Sequence, residues 1–240
     1  MSRPLVDPES WPVEPAGTGL PAVPAGRLSV TGLRARFAKA QTLVWMPEAR
    51  EASIAGADVT LRPAAVLIPL ALRRTGTTVL LTRRTDQLQH HAGQISFPGG
   101  RRDPDDTDAM TTALREAREE IGLAVEHIEV LGTLSDYVTG TGFRVTPVVA
   151  LVHEPFDVSA NASEVAEIFE VPLAFLMDPA HHEVCVFRAK DVERRFFAMP
   201  YPVRPASARA SSATCASSAH YFIWGATAGM LRNLYRFLSA

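Results

Sequence analysis

The chain has 240 residues, with 24 Lys+Arg against 26 Asp+Glu and a formal net charge of −2. Hydrophobic residues make up 47% and charged residues 21%, ordinary globular usage that excludes a chain disordered throughout and fits one large domain or two small ones. The near-balanced charge excludes a protein held on nucleic acid or anionic lipid mainly by bulk electrostatics.

Cys185 and Cys215 are the only cysteines and lack CxxC spacing, so they form neither a disulfide framework nor a zinc site. No apolar run approaches the ~20 residues of a membrane span. The opening MSRPLVDPES has no apolar core of a secretory signal, and a cytoplasmic protein with no membrane and no nucleic-acid partner is expected. Lysine occurs only at Lys39 and Lys190, so the remaining basic residues are all arginine, the better side chain for bidentate phosphate contacts.

Residues 1–27 carry six prolines and little periodic apolar pattern, which predicts an extended, poorly ordered arm. Residues 28–60 read as an N-terminal helix and a connecting segment, with Leu33 and Phe37 sharing one helix face in VTGLRARFAKA. The main domain is expected over 61–200. AAVLIPLAL (64–72) and TTVLLTRR (77–84) flank Arg73–Gly76 as a buried hairpin, and HAGQISFPGG (91–100) as a strand ending in a glycine turn.

A helix is predicted over 107–122, strands at 128–134, 144–152 and 184–188, and a short helix around 163–169. A Ser/Ala-rich loop follows at 201–220, and an amphipathic packing helix closes the chain at 221–240. Strands mixed with a few helices, outside strict βαβ alternation, imply an α+β fold.

The helix at 107–122 carries the chemistry. Asp106, Thr107 or Asp108 can cap its start, and Gly122 stands where a helix would end. Met110, Ala113, Leu114, Ala117 and Ile121 share a core-facing arc, while Glu116, Glu119 and Glu120 occupy the adjacent one. Glu116 and Glu120 are helix neighbours, and like charges at that spacing cost roughly 0.2–0.5 kcal/mol unless a cation bridges them. Hard divalent cations such as Mg²⁺ take such oxygen ligands. A solvated acidic face relieved by Arg115 and Arg118 is the bland alternative.

The order strand, Phe97-Pro98-Gly99-Gly100, acidic loop and then Arg115-Glu116-Ala117-Arg118-Glu119-Glu120-Ile121-Gly122-Leu123 resembles the Nudix box. Its second half matches at every specified position. Its first half departs: counted back from Arg115, the usual glycine falls on Arg101 and the usual acidic residue on Thr107, each one residue after Gly100 and Asp106. A loop longer by one residue lets Asp106 or Asp108 pair with Arg115.

Upstream, Leu80-Leu81-Thr82-Arg83-Arg84-Thr85, Gly93 and Phe97-Pro98-Gly99-Gly100 resemble the extra signature of the coenzyme A pyrophosphatase branch, with Thr85 for a small residue and Gln89 for its second arginine.

The resemblance implies a Nudix-type α/β/α sandwich with a mixed sheet. It implies Mg²⁺- or Mn²⁺-dependent hydrolysis of the pyrophosphate in CoA or acyl-CoA, giving 3′,5′-ADP and a 4′-phosphopantetheine. Glu116, Glu119 and Glu120 would hold metal, joined by the carbonyl of Gly99 or Gly100. Arg115 would orient the glutamates by an ion pair, with Asp106 as its partner. Glu119 and Glu164 are the candidate catalytic carboxylates, and Glu164 reads equally as a helix cap; Glu167 is weaker.

Arg84, Arg83 and Phe97 are the candidate substrate contacts, although Arg83 alone also reads as surface charge and Phe97 equally as core. ADP-ribose, NADH or another nucleoside diphosphate derivative is the alternative substrate, and a non-catalytic binding module the third reading. His153, His181 and His182 are expected at the surface. Oligomeric state stays open, with a homodimer as one option.

Overall fold

The computed structural model describes residues 8–48, 60–85, 93–189, 192–202 and 220–240. Its elements run β1 (Val13–Pro15), α1 (Ala25–Leu28), α2 (Val30–Ala38), β2 (Arg62–Arg73), β3 (Gly76–Arg84), β4 (Ile95–Ser96), β5 (Gly99–Arg101) and α3 (Ala109–Ile121). There follow β6 (Ile128–Thr133), β7 (Tyr137–Val138), β8 (Phe143–Val152), β9 (Val165–Pro172), α4 (Leu173–Leu176), β10 (Glu183–Ala189), β11 (Val192–Pro202), β12 (His220–Trp224) and α5 (Gly225–Ser239).

Alternation along the two longest central strands sets the layers. On β2, Ala65 and Leu67 face one side and Ile68 and Leu70 the other; on β8, Val148 and Ala150 oppose Val149 and Leu151 in the same way. Both faces are therefore apolar, and helices must cover both. Ala113, Ala117 and Ile121 of α3 close one face. Leu33 and Phe37 of α2, Leu173 and Leu176 of α4, and Leu231, Leu234 and Leu238 of α5 close the other. The result is an α/β/α sandwich in the α+β class.

The main sheet has 8 strands, running β4-β3-β2-β8-β6 with β5 on β2, β7 on β8 and β9 on β3. It is mixed because β2 and β8 pair in parallel while the other pairs are antiparallel. A second, 4-stranded sheet, β1-β10-β11-β12, lies beside it.

Several expectations change. Most of the segment 163–169, read as a short helix, is strand: from Val165 on it belongs to β9, Val165 and Phe169 are buried, and it hydrogen-bonds along β3 with Leu81 opposite Phe169. An open strand edge outweighs the local capping signal of Ser163. The proline-rich arm is built into the fold over residues 8–27. Its β1 pairs with β10, and Val23 and Leu28 enter the core. Arg27 Nη1 donates to the carbonyls of Leu238 and Ser239 at 2.9 and 2.8 Å, and Arg36 Nε to that of Phe237 at 2.8 Å.

These arginines satisfy carbonyls that every helix C-terminus leaves open, and their charge opposes the negative end of the α5 dipole. Residues 221–224, read as the start of the last helix, belong to strand β12. Met110, expected in the core, is 40% exposed. Residues 1–7, 49–59, Gln89 and the Ser/Ala-rich stretch from 203 to 219, with Cys215, lie outside the described residues. Among the described residues no helix is long and apolar enough to cross a membrane.

His182 is also corrected: it is 1% exposed, not on the surface. Nδ1 accepts from Arg232 Nη1 at 2.9 Å and Nε2–H donates to the Leu176 carbonyl at 2.8 Å, so the neutral ring fits. Burial, with Arg232 nearby, pushes its pKa down to about 4. The unfolded chain takes up this proton near pH ~6.5 and the folded one only near 4, so the stability it contributes is present above pH ~6.5 and lost as pH falls through the folded value. Chemical denaturation at pH 7 and 4.5 is expected to show roughly 2–3 kcal/mol more acid loss in the wild type than in His182→Gln. Equal losses in the two proteins would remove His182 as the cause.

Candidate active site

The site is assembled around α3. Asp108 caps it, its side chain accepting from the Thr111 amide at 2.8 Å, and Gly122 ends it at φ 66°, a left-handed position that glycine takes without strain. Between these ends the helix presents Glu116, Glu119 and Glu120 beside the turn of Gly99 and Gly100. The Gly99 amide donates to Glu120 Oε2 at 3.2 Å. A Cβ on Gly100 would collide with the Glu116 carboxylate, so a larger residue there would push that carboxylate out of its present position.

Arg115 resolves the ambiguity in the loop. Its Nη2 meets Asp106 Oδ2 at 2.9 Å and its Nε meets Asp106 Oδ1 at 3.2 Å, while Asp108 is engaged as the helix cap. Asp106 is 5% exposed, and the guanidinium holds its carboxyl well below the usual range. Because Gly100 and Asp106 share the same one-residue offset from Arg115, the additional residue lies after Asp106, in the approach to the helix. Nη1 of Arg115 also reaches Glu116 Oε1 and Glu119 Oε2, each at 3.0 Å. One guanidinium thus gathers both carboxylates, with Glu119 at the exposed rim.

Glu164 joins from the loop before β9. Asn161 N–H donates to the Glu120 carbonyl and Glu164 N–H to the Asn161 carbonyl, both at 2.9 Å, and the Glu164 carbonyl accepts from Thr85 at 3.0 Å. Its charge raises the pKa of both Glu116 and Glu120. Burial is the larger cause, and it carries Glu120, only 3% exposed, up to about 7. Asn161 was missed from sequence; the signal was N-A-S-E, whose Asn161 Oδ1 accepts from Ser163 Oγ at 2.7 Å in an Asx arrangement.

The candidate substrate contacts separate. Arg84 points to the α3 face, where its Nη1 stands 3.7 Å from Glu120 Oε1 and its buried Nε has no hydrogen-bond partner among the described residues. Arg83 points the other way, onto Glu167 Oε2 at 3.2 Å, while Tyr221 Oη donates to Glu167 Oε1 at 2.5 Å. Glu167 is therefore held apart from Glu116 and Glu120. Phe97 is 2% exposed within the core, which corrects its reading as a stacking platform: no face of the ring is left for a base.

Among the described residues no three His, Cys, Asp or Glu side chains already converge as a metal cage. The donor set nevertheless suits a hard cation: the charge of Glu164 raises the pKa of Glu116 and Glu120, Glu116 adds to that of Glu120, and glycine backbone lies against Glu116. Oxygen donors of this kind favour Mg²⁺ or Mn²⁺ over softer ions.

A family model described as the NUDIX domain matches residues 61–205. The uncharacterized Nudix hydrolase NudL of Citrobacter koseri is 38% identical over 180 residues, 75% of this chain and 84% of its own length. NudL of Yersinia pestis is 37% identical over 177 residues, 74% of this chain and 80% of its own. Among solved structures, the Nudix hydrolase RenU of M. smegmatis is similar at a TM-score of 0.40 and 32% identity, over 47% of this chain and 71% of its own. With the family match and these relatives, the chain belongs to the Nudix hydrolases, pyrophosphohydrolases that generally work with divalent cations.

Proposed function

We propose that this chain hydrolyses the pyrophosphate of coenzyme A or an acyl-CoA, giving 3′,5′-ADP and a 4′-phosphopantetheine. The observation that carries this reading is Arg84, the second arginine of the LLTRRT segment, standing beside Glu120 with a buried Nε that has no partner among the described residues. A buried guanidinium N–H next to the carboxylate cluster, with no partner among the described residues, is suited to donate to a phosphate oxygen.

Glu116, Glu119, Glu120 and Glu164 are the residues that would hold Mg²⁺ or Mn²⁺, with the backbone of Gly100 alongside. When bound, such a cation polarises phosphoryl oxygens and offsets the charge that develops during attack. The chain's own part is positional. Arg115 fixes Glu116 and Glu119, the Gly99 amide fixes Glu120, and the Asn161 loop fixes Glu164.

Water adds to one phosphorus and the bridging P–O bond breaks, so each product leaves with a phosphate. Glu164, half-buried and placed on a loop instead of the helix, is assigned to take the water proton. Gln89, standing where the family signature has an arginine, is the reason ADP-ribose belongs in the test.

With Mg²⁺ or Mn²⁺ present, mass analysis of products from CoA, dephospho-CoA and ADP-ribose is expected to show 3′,5′-ADP and phosphopantetheine from CoA. CoA is also expected to give the highest kcat/KM of the three. A clear preference for ADP-ribose would overturn the assignment, and no metal-dependent product from any of them would reopen the non-catalytic reading.

A further inference from the structure

We infer that Arg62 and Arg101, gathered on the ring of Phe143, form a second anion site that takes a phosphate monoester on the substrate's ribose, away from the pyrophosphate. Strand register brings the three together. Arg62 pairs with Phe143 across the parallel β2–β8 ladder, and Arg101 pairs with Ala64 across β2–β5. With side chains alternating along each strand, all three project from the same sheet face, opposite α3.

The guanidinium carbons lie 4.0 and 5.3 Å from the Phe143 ring centroid. The ring's negative face attracts each cation, but two like charges on one ring repel each other. Among the described residues neither arginine pairs with a carboxylate; Arg62 Nη2 reaches only the Thr141 carbonyl, at 3.1 Å. Asp136, the acidic residue preceding β7, is turned to the other face by a 2.7 Å bond from Thr146 Oγ1. The two forks are thus exposed, gathered on one ring and, among the described residues, without a paired carboxylate, the arrangement that suits a doubly charged phosphate.

Position ties this site to the carboxylates. Arg101 directly follows Gly100, whose backbone lies against Glu116, and consecutive Cα atoms are about 3.8 Å apart. The Arg101 carbonyl itself accepts from Arg115 Nη2 at 3.1 Å. A ligand with its pyrophosphate on the α3 face can therefore reach Arg101 around the end of the short β5. The inference rests on the CoA reading, because the ribose 3′-phosphate is the monoester that CoA carries.

Calorimetric titration of the full chain without divalent metal separates the two ideas. Wild type is expected to bind 3′,5′-ADP roughly tenfold tighter than 5′-AMP, on the scale of charge-assisted phosphate contacts. R62Q/R101Q is expected to lose that preference, and R101Q alone to lose part of it with an unchanged melting temperature. Equal wild-type affinities, no binding of either nucleotide, or a preference that survives both substitutions would overturn the site. A wild type that prefers 3′,5′-ADP through these arginines yet leaves CoA uncleaved would support the site and defeat the CoA reading.

Discussion

Glu120→Gln is expected to lower metal-dependent turnover by at least two orders of magnitude, roughly 3 kcal/mol or more of barrier, while leaving the fold intact. The side chain keeps its shape, and the Gly99 amide still finds an oxygen to which it can donate. What disappears is the charge. Glu120 is 3% exposed, and burial raises its pKa to about 7, so the folded chain gains nothing from that charge. Removing it is expected to leave the melting temperature at or above that of the wild type, the pattern of a group retained for activity at a cost in stability.

Glu167→Gln provides the contrast. That carboxylate is engaged by Arg83 and Tyr221, away from Glu116 and Glu120, and its loss is expected to change turnover only a few-fold. Steady-state kinetics with Mn²⁺ and thermal melts of both variants decide the matter. Near-normal activity in Glu120→Gln, or a loss in Glu167→Gln as large, would defeat the assignment of the metal-holding carboxylates.

The largest expected effect on stability lies far from the chemistry. Arg232 on α5 is 1% exposed and holds Glu48 through Nε at 2.9 Å and Nη2 at 3.0 Å. Its charge is further accommodated by the rings of Tyr235 and Phe197 and by His182 Nδ1. Glu48→Gln leaves a buried guanidinium without its counter-charge, and breaking such a pair from one side costs roughly 3–5 kcal/mol when both groups are dry. Glu48 is 38% exposed on its side chain, so water recovers part of that and about 3 kcal/mol is expected. Urea unfolding measures it directly. A change below ~1 kcal/mol would show that the aromatic rings and His182 suffice to hold the cation.

Both variants probe groups whose roles differed in how far sequence revealed them. The glutamates of α3 were legible because everything that places them is local: Asp108 caps, Gly122 terminates, and helical spacing sets Glu116 beside Glu120. The hairpin of β2 and β3 was legible for the same reason, two apolar runs around a short glycine-containing turn. Glu48 and Arg232 are separated by 184 positions, and no spacing rule connects them.

The remaining differences have the same origin. Capping residues at Ser163 favoured a helix, but an antiparallel partner along β3 satisfied the backbone of Val165–Pro172 better as a strand. Prolines in the arm gave no periodic signal, yet Val13–Pro15 pairs with β10 and the Arg27 guanidinium closes the end of α5. His182 carried no mark of burial that a single sequence could display, and for Phe97 the core and stacking readings stood level until its 2% exposure decided for the core.

The sequence by itself determined the acidic helix, its caps, and the composition that excluded a mainly electrostatic nucleic-acid binder, because these depend on contacts within a few residues or on simple counts. Only the tertiary structure decided that Asp106 is the partner of Arg115, that Arg84 faces the carboxylates while Arg83 turns away, and that the charge of Glu164 is felt by Glu116 and Glu120. Each of those outcomes depends on strand register and on which sheet face a side chain takes, and one residue of register reverses it.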